Sequence, residues 1–454
     1  MKLRLIGSAV ASSHCILTIA NFLCAICFSL AAFAQTTTSD PSSTKTPSMS
    51  LEERVQRDAW RSKMLREPAP KQGCFHLAYP NTEWQEVPCR VAPNRPYPFK
   101  VRLRAELGHG TDFVAQPVSG AISQAIGQFP TSASIGISET GAGGANDFSL
   151  QLNTNAFDSP ACTPPGSTPK SDDCQGWQQF IYSNFSQGAF IQYWLIGYFD
   201  NRPTCSADSD VEHGGCCPAG FKTFSDATRG SPGCWRNSDM TSPATPLITL
   251  TGDTLLNINL VGRVSTNSDS VVIATFDISQ DIYAHNGLGD PLGLTSNWKQ
   301  AEFNVFGDGV SRPNAQFSDG TTFNVLIDVG GDASCTASGF TAETNNLTAV
   351  KGDEGPCCTW TAAGGHGGIQ FTQRGPNADS AQSICDAGTH CLPPGAACSA
   401  TGMGCCAIAG EHVCSGGRCV PVVPPSSCNG TPRPTRACAL GWHCCDSWVC
   451  GNCP

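Results

Sequence analysis

Charged residues are scarce in this 454-residue chain, and basic residues are the scarcer kind. Asp, Glu, Lys and Arg make up 14% of the sequence, with 27 basic side chains against 37 acidic ones and a formal net charge of −10. An acidic chain without a basic stripe offers no surface for a phosphate backbone, so we expect no nucleic-acid partner. Low charge density also suits a protein that must stay folded in acid, where carboxylates lose their charge.

Several signatures of catalytic and metal sites are missing. There is no G-x-S-x-G run that would place a nucleophilic serine on a sharp turn, and no P-loop. No C-x2-C…H-x3-5-H pattern offers a zinc site through His412 or His443. We therefore expect no zinc site, no catalytic metal and no cofactor.

Long apolar runs are confined to the N-terminus. Lys2 and Arg4 precede an apolar stretch that ends at an Ala-Phe-Ala cleavage signal. This predicts a secretory signal peptide over residues 1–34 rather than a membrane anchor, because the stretch is short and ends at that signal. Residues 35–50 consist mostly of Thr, Ser and Pro, which indicates a flexible linker. We expect no membrane association once the signal is removed.

Cysteine, by contrast, is abundant. Three of the 27 cysteines lie in the predicted signal, and the other 24 are an even number, as full pairing requires. Disulfides persist only in oxidising compartments, so we expect a secreted protein, extracellular or periplasmic. A monomer is expected.

Residues 51–99 are predicted to form a helical and disulfide-looped N-terminal segment, which either packs on the main domain or forms part of a removable pro-segment. Apolar residues recur there at helical spacing, with charges on the other face: Leu51, Val55, Ala59 and Met64. A disulfide between Cys74 and Cys89 would close a short loop after this helix.

Residues 100–385 show the period-2 alternation of β-strands, with clusters of Gly, Asn, Asp and Ser between the runs. Many short strands in one span predict an all-β domain, a two-sheet sandwich or jelly roll. The N-terminal helix and small disulfide-rich C-terminal modules would flank this domain.

Two of the alternating runs carry groups suited to catalysis, Trp177-Gln178-Gln179-Phe180 and Gln300-Ala-Glu302-Phe-Asn-Val305. A carboxylate can take a proton from water, and an amide can stabilise the oxyanion that forms when the water attacks a carbonyl. We assign Glu302 as the general base and Gln178 as the oxyanion donor. Gln179 stays open as the alternative, because side chains alternate along a strand and only one glutamine can share the face of Glu302.

These two runs resemble the glutamic peptidases (eqolisins), secreted acid endopeptidases with a concanavalin-like double sheet. The resemblance covers about residues 145 to 330. It implies that the catalytic glutamine and glutamate lie in these two runs. It also implies substrate contacts from Gln192 and Trp194. Trp177 is a further candidate for a substrate contact, with packing in the core as the alternative. The substrate strand of that family carries an acid between aromatic residues, and Gln192-Tyr193-Trp194 has none.

The C-terminal region is predicted to form two knottin-like modules, residues 386–420 and 421–454. Each has six cysteines in the same order, with an adjacent pair in the middle. The knottin resemblance implies first-to-fourth, second-to-fifth and third-to-sixth bridges: Cys391–Cys406, Cys398–Cys414 and Cys405–Cys419, then Cys428–Cys445, Cys438–Cys450 and Cys444–Cys453. Segments this short depend on their bridges for stability.

The predicted function is therefore a secreted acid endopeptidase that acts on polypeptides. Two other functions stay open: a non-enzymatic sandwich that binds polysaccharide, and a knottin-based binder or inhibitor. A glycosidase would need a second carboxylate opposite Glu302, for which the candidates are Asp277, Asp281 and Asp308. Asp308, Asp319 and Asp328 are candidates for a structural calcium site.

Overall fold

The computed structural model describes the following residues: 51–97, 108–130, 132–133, 137–139, 147–163, 174–198, 217–224, 233–241, 248–275, 281–287, 289–307, 315–330, 333–339, 345–349, 358–362, 366–375, 377, 412–415 and 418–421. The predicted signal peptide, the linker and, Pro421 apart, the second cysteine module lie outside these residues. None of the helices in the described part of the chain is long and apolar enough to cross a membrane.

Most described residues belong to strands. The helical elements are α1 (Leu51–Met64), α2 (Gly252–Leu256) and the 3-10 turns Pro160–Cys162 and Leu294–Ser296. The predicted amphipathic helix is thus α1. It packs Trp60 and Met64 against apolar side chains of the sheet beneath it, among them Val261 and Val272.

One antiparallel sheet has eleven strands among the described residues. In chain order they are β1 (Gly73–Ala78), β2 (Gln85–Val87), β4 (Gln124–Gln128), β5 (Ser132–Ala133), β12 (Ile258–Val264), β13 (Asp269–Thr275), β14 (Asp281–Asn286), β17 (Thr322–Asp328), β19 (Thr348–Ala349), β20 (Cys358–Ala362) and β21 (His366–Arg374). Their main spatial order is β19-β21-β17-β4-β12-β13-β14-β1-β2. β1 pairs with β14 over its whole length, so the N-terminal segment contributes a strand to this sheet.

The second antiparallel sheet has eight strands in the described residues. They are β3 (Gly108–Pro117), β7 (Ser149–Thr154), β8 (Gln175–Ser183), β9 (Gly188–Ile196), β10 (Lys222–Phe224), β11 (Gly233–Met240), β15 (Ala301–Phe306) and β18 (Ala333–Gly339). Their order is β10-β11-β9-β8-β7-β15-β3-β18. Two further strand pairs lie outside the sheets: β6 (Ile137–Glu139) with β16 (Gln316–Phe317), and β22 (His412–Ser415) with β23 (Arg418–Pro421).

The predicted all-β, two-sheet sandwich is confirmed. Alternate residues of both sheets point inward and form one large apolar core, which includes Phe180, Phe303 and Ile273. The residues between them point to the outer faces. A residue of the eight-stranded sheet therefore lies on the outer face when the residues on either side of it in the strand point inward.

Disulfides hold several loops. Cys74–Cys89, Cys162–Cys174 and Cys217–Cys234 are bonded, which confirms the disulfide-rich character expected from the sequence. In the first C-terminal module, Cys414 and Cys419 are directly opposed in the β22–β23 hairpin. The other cysteines of both modules lie outside the described residues, so the knottin pairing stays a prediction.

Candidate active site on the outer face of the eight-stranded sheet

Five polar side chains stand directly opposite one another across β15, β7, β8, β9 and β11. They are Glu302, Asn153, Gln179, Gln192 and Asn237. We call this set the polar row. The first four are fully buried, and Asn237 is half-buried.

The row is joined by hydrogen bonds. Nδ2 of Asn153 donates to Oε2 of Glu302 at 2.9 Å, and Nε2 of Gln179 donates to Oδ1 of Asn153 at 3.2 Å. Nε2 of Gln179 also donates to Oε1 of Gln151 at 2.8 Å. One asparagine therefore connects the candidate base to the amide that shares its face.

Trp194 determines the orientation of the Gln179 amide. Its indole Nε1 donates to Oε1 of Gln179 at 3.0 Å and to Oε1 of Gln192 at 3.2 Å. An indole N–H is a donor only, so the Gln179 atom that faces it must be the carbonyl oxygen. The NH2 group of Gln179 then points along the sheet toward Asn153 and Glu302. Gln192 continues the row, because its Nε2 donates to Oδ1 of Asn237 at 2.6 Å.

Two close approaches between the sheets hold this geometry. The ring of Phe180 lies over Gly262 of the opposite sheet, where an added Cβ would come within 2.4 Å of the ring. Phe303 lies over Gly127 in the same way, with a corresponding distance of 2.2 Å. Because both rings point inward against a glycine, the adjacent residues Gln179 and Glu302 must point outward.

Gln178 lies on the face opposite to that of Glu302, whereas the alternative, Gln179, shares the face of Glu302. It is paired in register with Tyr193, an inward-facing core residue, and its side chain faces the carboxyl of Asp269 inside the sandwich. Burial and the charge of Asp290 raise the pKa of Asp269 well above its usual value, and the Gln178 amide opposes them. Gln178 is therefore separated from Glu302 by the sheet itself.

The predicted substrate-binding tryptophans are packed rather than exposed. Trp177, Trp194 and Trp235 are all buried and form an apolar cluster on the outer face. Nε1 of Trp177 donates to the carbonyl oxygen of Thr154 at 2.7 Å. These rings therefore support the row from one side and have little surface left for stacking on a ligand.

Sequence reasoning missed Asn153 and a second buried carboxyl, Asp112. Asp112 lies two residues before Val114, which is directly opposite Glu302, and its Oδ2 accepts from Nδ2 of Asn304 at 2.7 Å. Burial raises the pKa of Asp112 to about 8, although the hydrogen bonds from Asn304 and Phe113 lower it. The alternation Ser-Leu-Gln-Leu-Asn-Thr of β7 was a signal for Asn153, since it places Gln151 and Asn153 on one polar face.

Other candidate carboxylates are engaged elsewhere. Asp281 lies 2.9 Å from Nε2 of His76, and Asp328 forms an ion pair with Arg66 at 2.8 Å. Asp277 and Asp308 lie outside the described residues. In the described part of the chain, Cys74, Cys89 and His285 come together as potential metal ligands, but the two sulfurs are joined in a disulfide and supply no thiolate.

Comparison with known proteins found no matching family model and no matching curated protein. Two solved structures of scytalido-glutamic peptidase match, one with a peptide based transition state analog and one with a transition state analog inhibitor. Each alignment covers 60% of this chain and 100% of the peptidase, with 10% and 12% identity and TM-scores of 0.20 and 0.21. Scores this low do not establish a shared fold.

Proposed function

We propose that this chain is a secreted hydrolase of the glutamic-peptidase type, in which Glu302 and Gln179 act on a peptide bond. The supporting observation is that Glu302 and Gln179 share one face and hydrogen-bond to the same asparagine, Asn153. This proposal replaces Gln178 with Gln179 as the oxyanion donor.

In the proposed reaction, Glu302 takes a proton from a water molecule, whose oxygen attacks the scissile carbonyl carbon. Nε2 of Gln179 donates to the oxyanion of the tetrahedral intermediate. One good donor of this kind is worth about 3 kcal/mol. Glu302 then gives its proton to the leaving amine as the C–N bond breaks. In the resting chain, Nε2 of Gln179 donates to Oδ1 of Asn153. In the proposed reaction, this N–H turns from Asn153 to the substrate.

Glu302 and Gln179 are both 0% exposed, so the proposed reaction requires that this face open to admit a substrate. A closed resting site is compatible with the proposed reaction, because excluding water strengthens the electrostatic interactions that stabilise the transition state.

The same face gives less support to a polysaccharide-binding role. Carbohydrate recognition would need an aromatic face open for stacking, and Trp177 and Trp194 are 1% and 4% exposed. The disulfides agree with the proposed extracellular or periplasmic location. We propose that the two cysteine-rich modules are appendages to this catalytic domain.

The test is digestion of a denatured protein from pH 2 to 7 by the mature chain and by its Glu302→Gln variant. We expect fragments from the parent at acid pH and at least about a thousandfold slower cleavage by the variant. Cleavage at equal rates by both would remove Glu302 from the mechanism. No cleavage by either, with retention on a polysaccharide column, would favour the binding protein.

A further inference from the structure

A segment of the chain itself lies on the outer face of the eight-stranded sheet, beside the polar row. This segment, Arg90–Tyr97, begins with a two-bond antiparallel bridge between Arg90 and Met240. Nδ2 of Asn237 then donates to the carbonyl oxygen of Pro93 at 2.8 Å. Oε1 of Gln192 accepts from the main-chain N–H of Tyr97 at 2.7 Å.

Side chains of the row thus bind main-chain atoms of an irregular segment. Nε2 of Gln192 also donates to the carbonyl oxygen of Arg95 at 3.3 Å. Main-chain groups are common to every polypeptide, so amides arranged in this way can hold other peptides in the same manner.

The side chain of Tyr97 fills a pocket and is 1% exposed. The pocket walls that the sheet contributes are apolar, formed by Ile181, Phe190 and Met240, and Ala92 of the segment itself packs against them. At its end, the hydroxyl of Tyr97 donates to Oγ of Ser183 at 2.9 Å and accepts from Nη2 of Arg95, in the same segment, at 2.9 Å. An apolar wall that ends in the hydroxyl of Ser183 suits an aromatic ring with a polar tip.

We infer that this face of β8, β9 and β11 is a substrate subsite for an extended polypeptide with an aromatic side chain, and that Pro93–Tyr97 occupies it in the resting chain. The inference rests on the proposed function. Gln192 and Asn237 bind the substrate main chain, and the pocket that now holds Tyr97 takes the aromatic residue. The resident segment competes with the substrate for this subsite.

The direction of the resident segment predicts where cleavage falls. Pro93 lies at β11 and Tyr97 at β9, so the chain runs N to C across the strands toward Gln179. Asn153, between Gln179 and Glu302, is two strands further on. Two strand spacings are about 9.6 Å, which an extended chain covers in about three residues. A substrate bound in this direction carries its aromatic residue about three residues before the scissile bond.

Binding can be tested without catalysis. Full-length Glu302→Gln protein, with and without Tyr97→Ala, is titrated with the peptide Pro-Asn-Arg-Pro-Tyr amide, labelled with fluorescein at its N-terminus, while anisotropy is followed. Tyr97→Ala should tighten binding at least tenfold, because it removes the resident competitor. The peptide with alanine in place of tyrosine should bind at least tenfold more weakly. Val91→Ala is the matched control, since Val91 belongs to the same segment but is 87% exposed, and it should leave binding unchanged.

Equal binding of both peptides, or no effect of Tyr97→Ala in a protein with native circular dichroism, would overturn the inference. If Tyr97→Ala does not fold, Tyr97→Phe serves instead, since it keeps the ring and loses only the hydroxyl with its bonds to Ser183 and Arg95; a severalfold gain is then expected. Mapping the cleavage sites of the parent enzyme gives a second measurement. Cleavage without aromatic enrichment before the scissile bond overturns the subsite and leaves the peptidase standing. Peptide binding without cleavage supports the subsite and overturns the proposed peptidase activity.

Discussion

Asn153 donates a 2.9 Å hydrogen bond from its Nδ2 to Oε2 of Glu302. The same asparagine accepts from Gln179 through its Oδ1. An amide that donates to one partner and accepts from the other fixes both side chains at once. Asn153 therefore fixes the relative orientation of the candidate base and the candidate oxyanion donor.

The adjacent glutamines provide a matched pair of variants. Gln179→Ala should lower kcat about 100- to 1000-fold, because it removes a donor that acts on the developing oxyanion. Gln178→Ala, on the inward face, should leave kcat within about threefold of the parent. Steady-state hydrolysis of a peptide by the three proteins checks this. A larger loss from Gln178→Ala in a folded protein would restore Gln178 to the site.

Asn153 should behave as a positioning residue. Asn153→Asp places a second carboxyl beside Glu302, and a neighbouring negative charge disfavours the ionised form that acts as base. The acid limb of the pH profile of kcat should therefore move to higher pH, with KM little changed. Asn153→Ala should lower kcat about tenfold without that displacement. A pH profile unaltered by Asn153→Asp would argue against contact between the two groups in the active form.

The stability of the protein should depend on pH through Asp112. Its pKa is raised by burial to about 8, so the folded chain keeps this proton over a range in which the unfolded chain has lost it. Between about pH 4 and pH 8 the folded state then binds more protons, and the free energy of unfolding falls as pH rises. The contribution of this group is at most about 1.4 kcal/mol per pH unit.

Denaturant unfolding of the parent and of Asp112→Asn from pH 4 to pH 8 isolates this effect. In the variant, the free energy of unfolding should no longer show the fall with rising pH that Asp112 causes. Burial lowers the pKa of His285 to about 4. The unfolded chain therefore binds a proton at His285 that the folded chain does not, so the free energy of unfolding rises with pH through this group. This contribution is the same in both proteins and cancels when they are compared. Parallel stability curves for the two proteins would contradict the assignment.

Helix α1 should stabilise the sandwich rather than rest loosely on it. Met64 is 2% exposed and packs in the apolar cluster that includes Phe75 and Val272. Met64→Ala should lower the free energy of unfolding by about 2–5 kcal/mol. Lys63→Ala, an exposed neighbour on the same helix, is the control and should change it by less than about 0.5 kcal/mol. Equal, small effects would indicate that α1 is dispensable for the folded domain.

The sequence was sufficient to predict the strand content and the sandwich, because period-2 alternation and turn residues are local signals. It was not sufficient to choose between Gln178 and Gln179. Both neighbours of the pair, Trp177 and Phe180, are apolar and buried, so alternation alone does not say which face is inward. The choice depends on Phe180 meeting Gly262, a contact between residues far apart in the chain.

Pairing between distant parts of the chain also explains why the sequence did not indicate the positions of Asn153, β1 and Tyr97. Asn153 becomes part of the row only through the register of β7 with β15 and β8, which no local pattern specifies. β1 pairs with β14, some 200 residues later in the sequence, and no local pattern within residues 51–99 indicates this pairing. The position of Tyr97 on β9 depends on side-chain amides of distant strands and had no sequence signal.

The most direct test of the joint action of Glu302 and Gln179 is a double-mutant cycle on kcat/KM. Peptide hydrolysis is measured for the parent, Glu302→Gln, Gln179→Ala and the double variant. Residues that act as a unit give strongly non-additive losses. We predict that the double variant retains the residual activity of Glu302→Gln within about threefold. A double variant whose loss equals the product of the two single losses would contradict the account, as would full activity of Gln179→Ala.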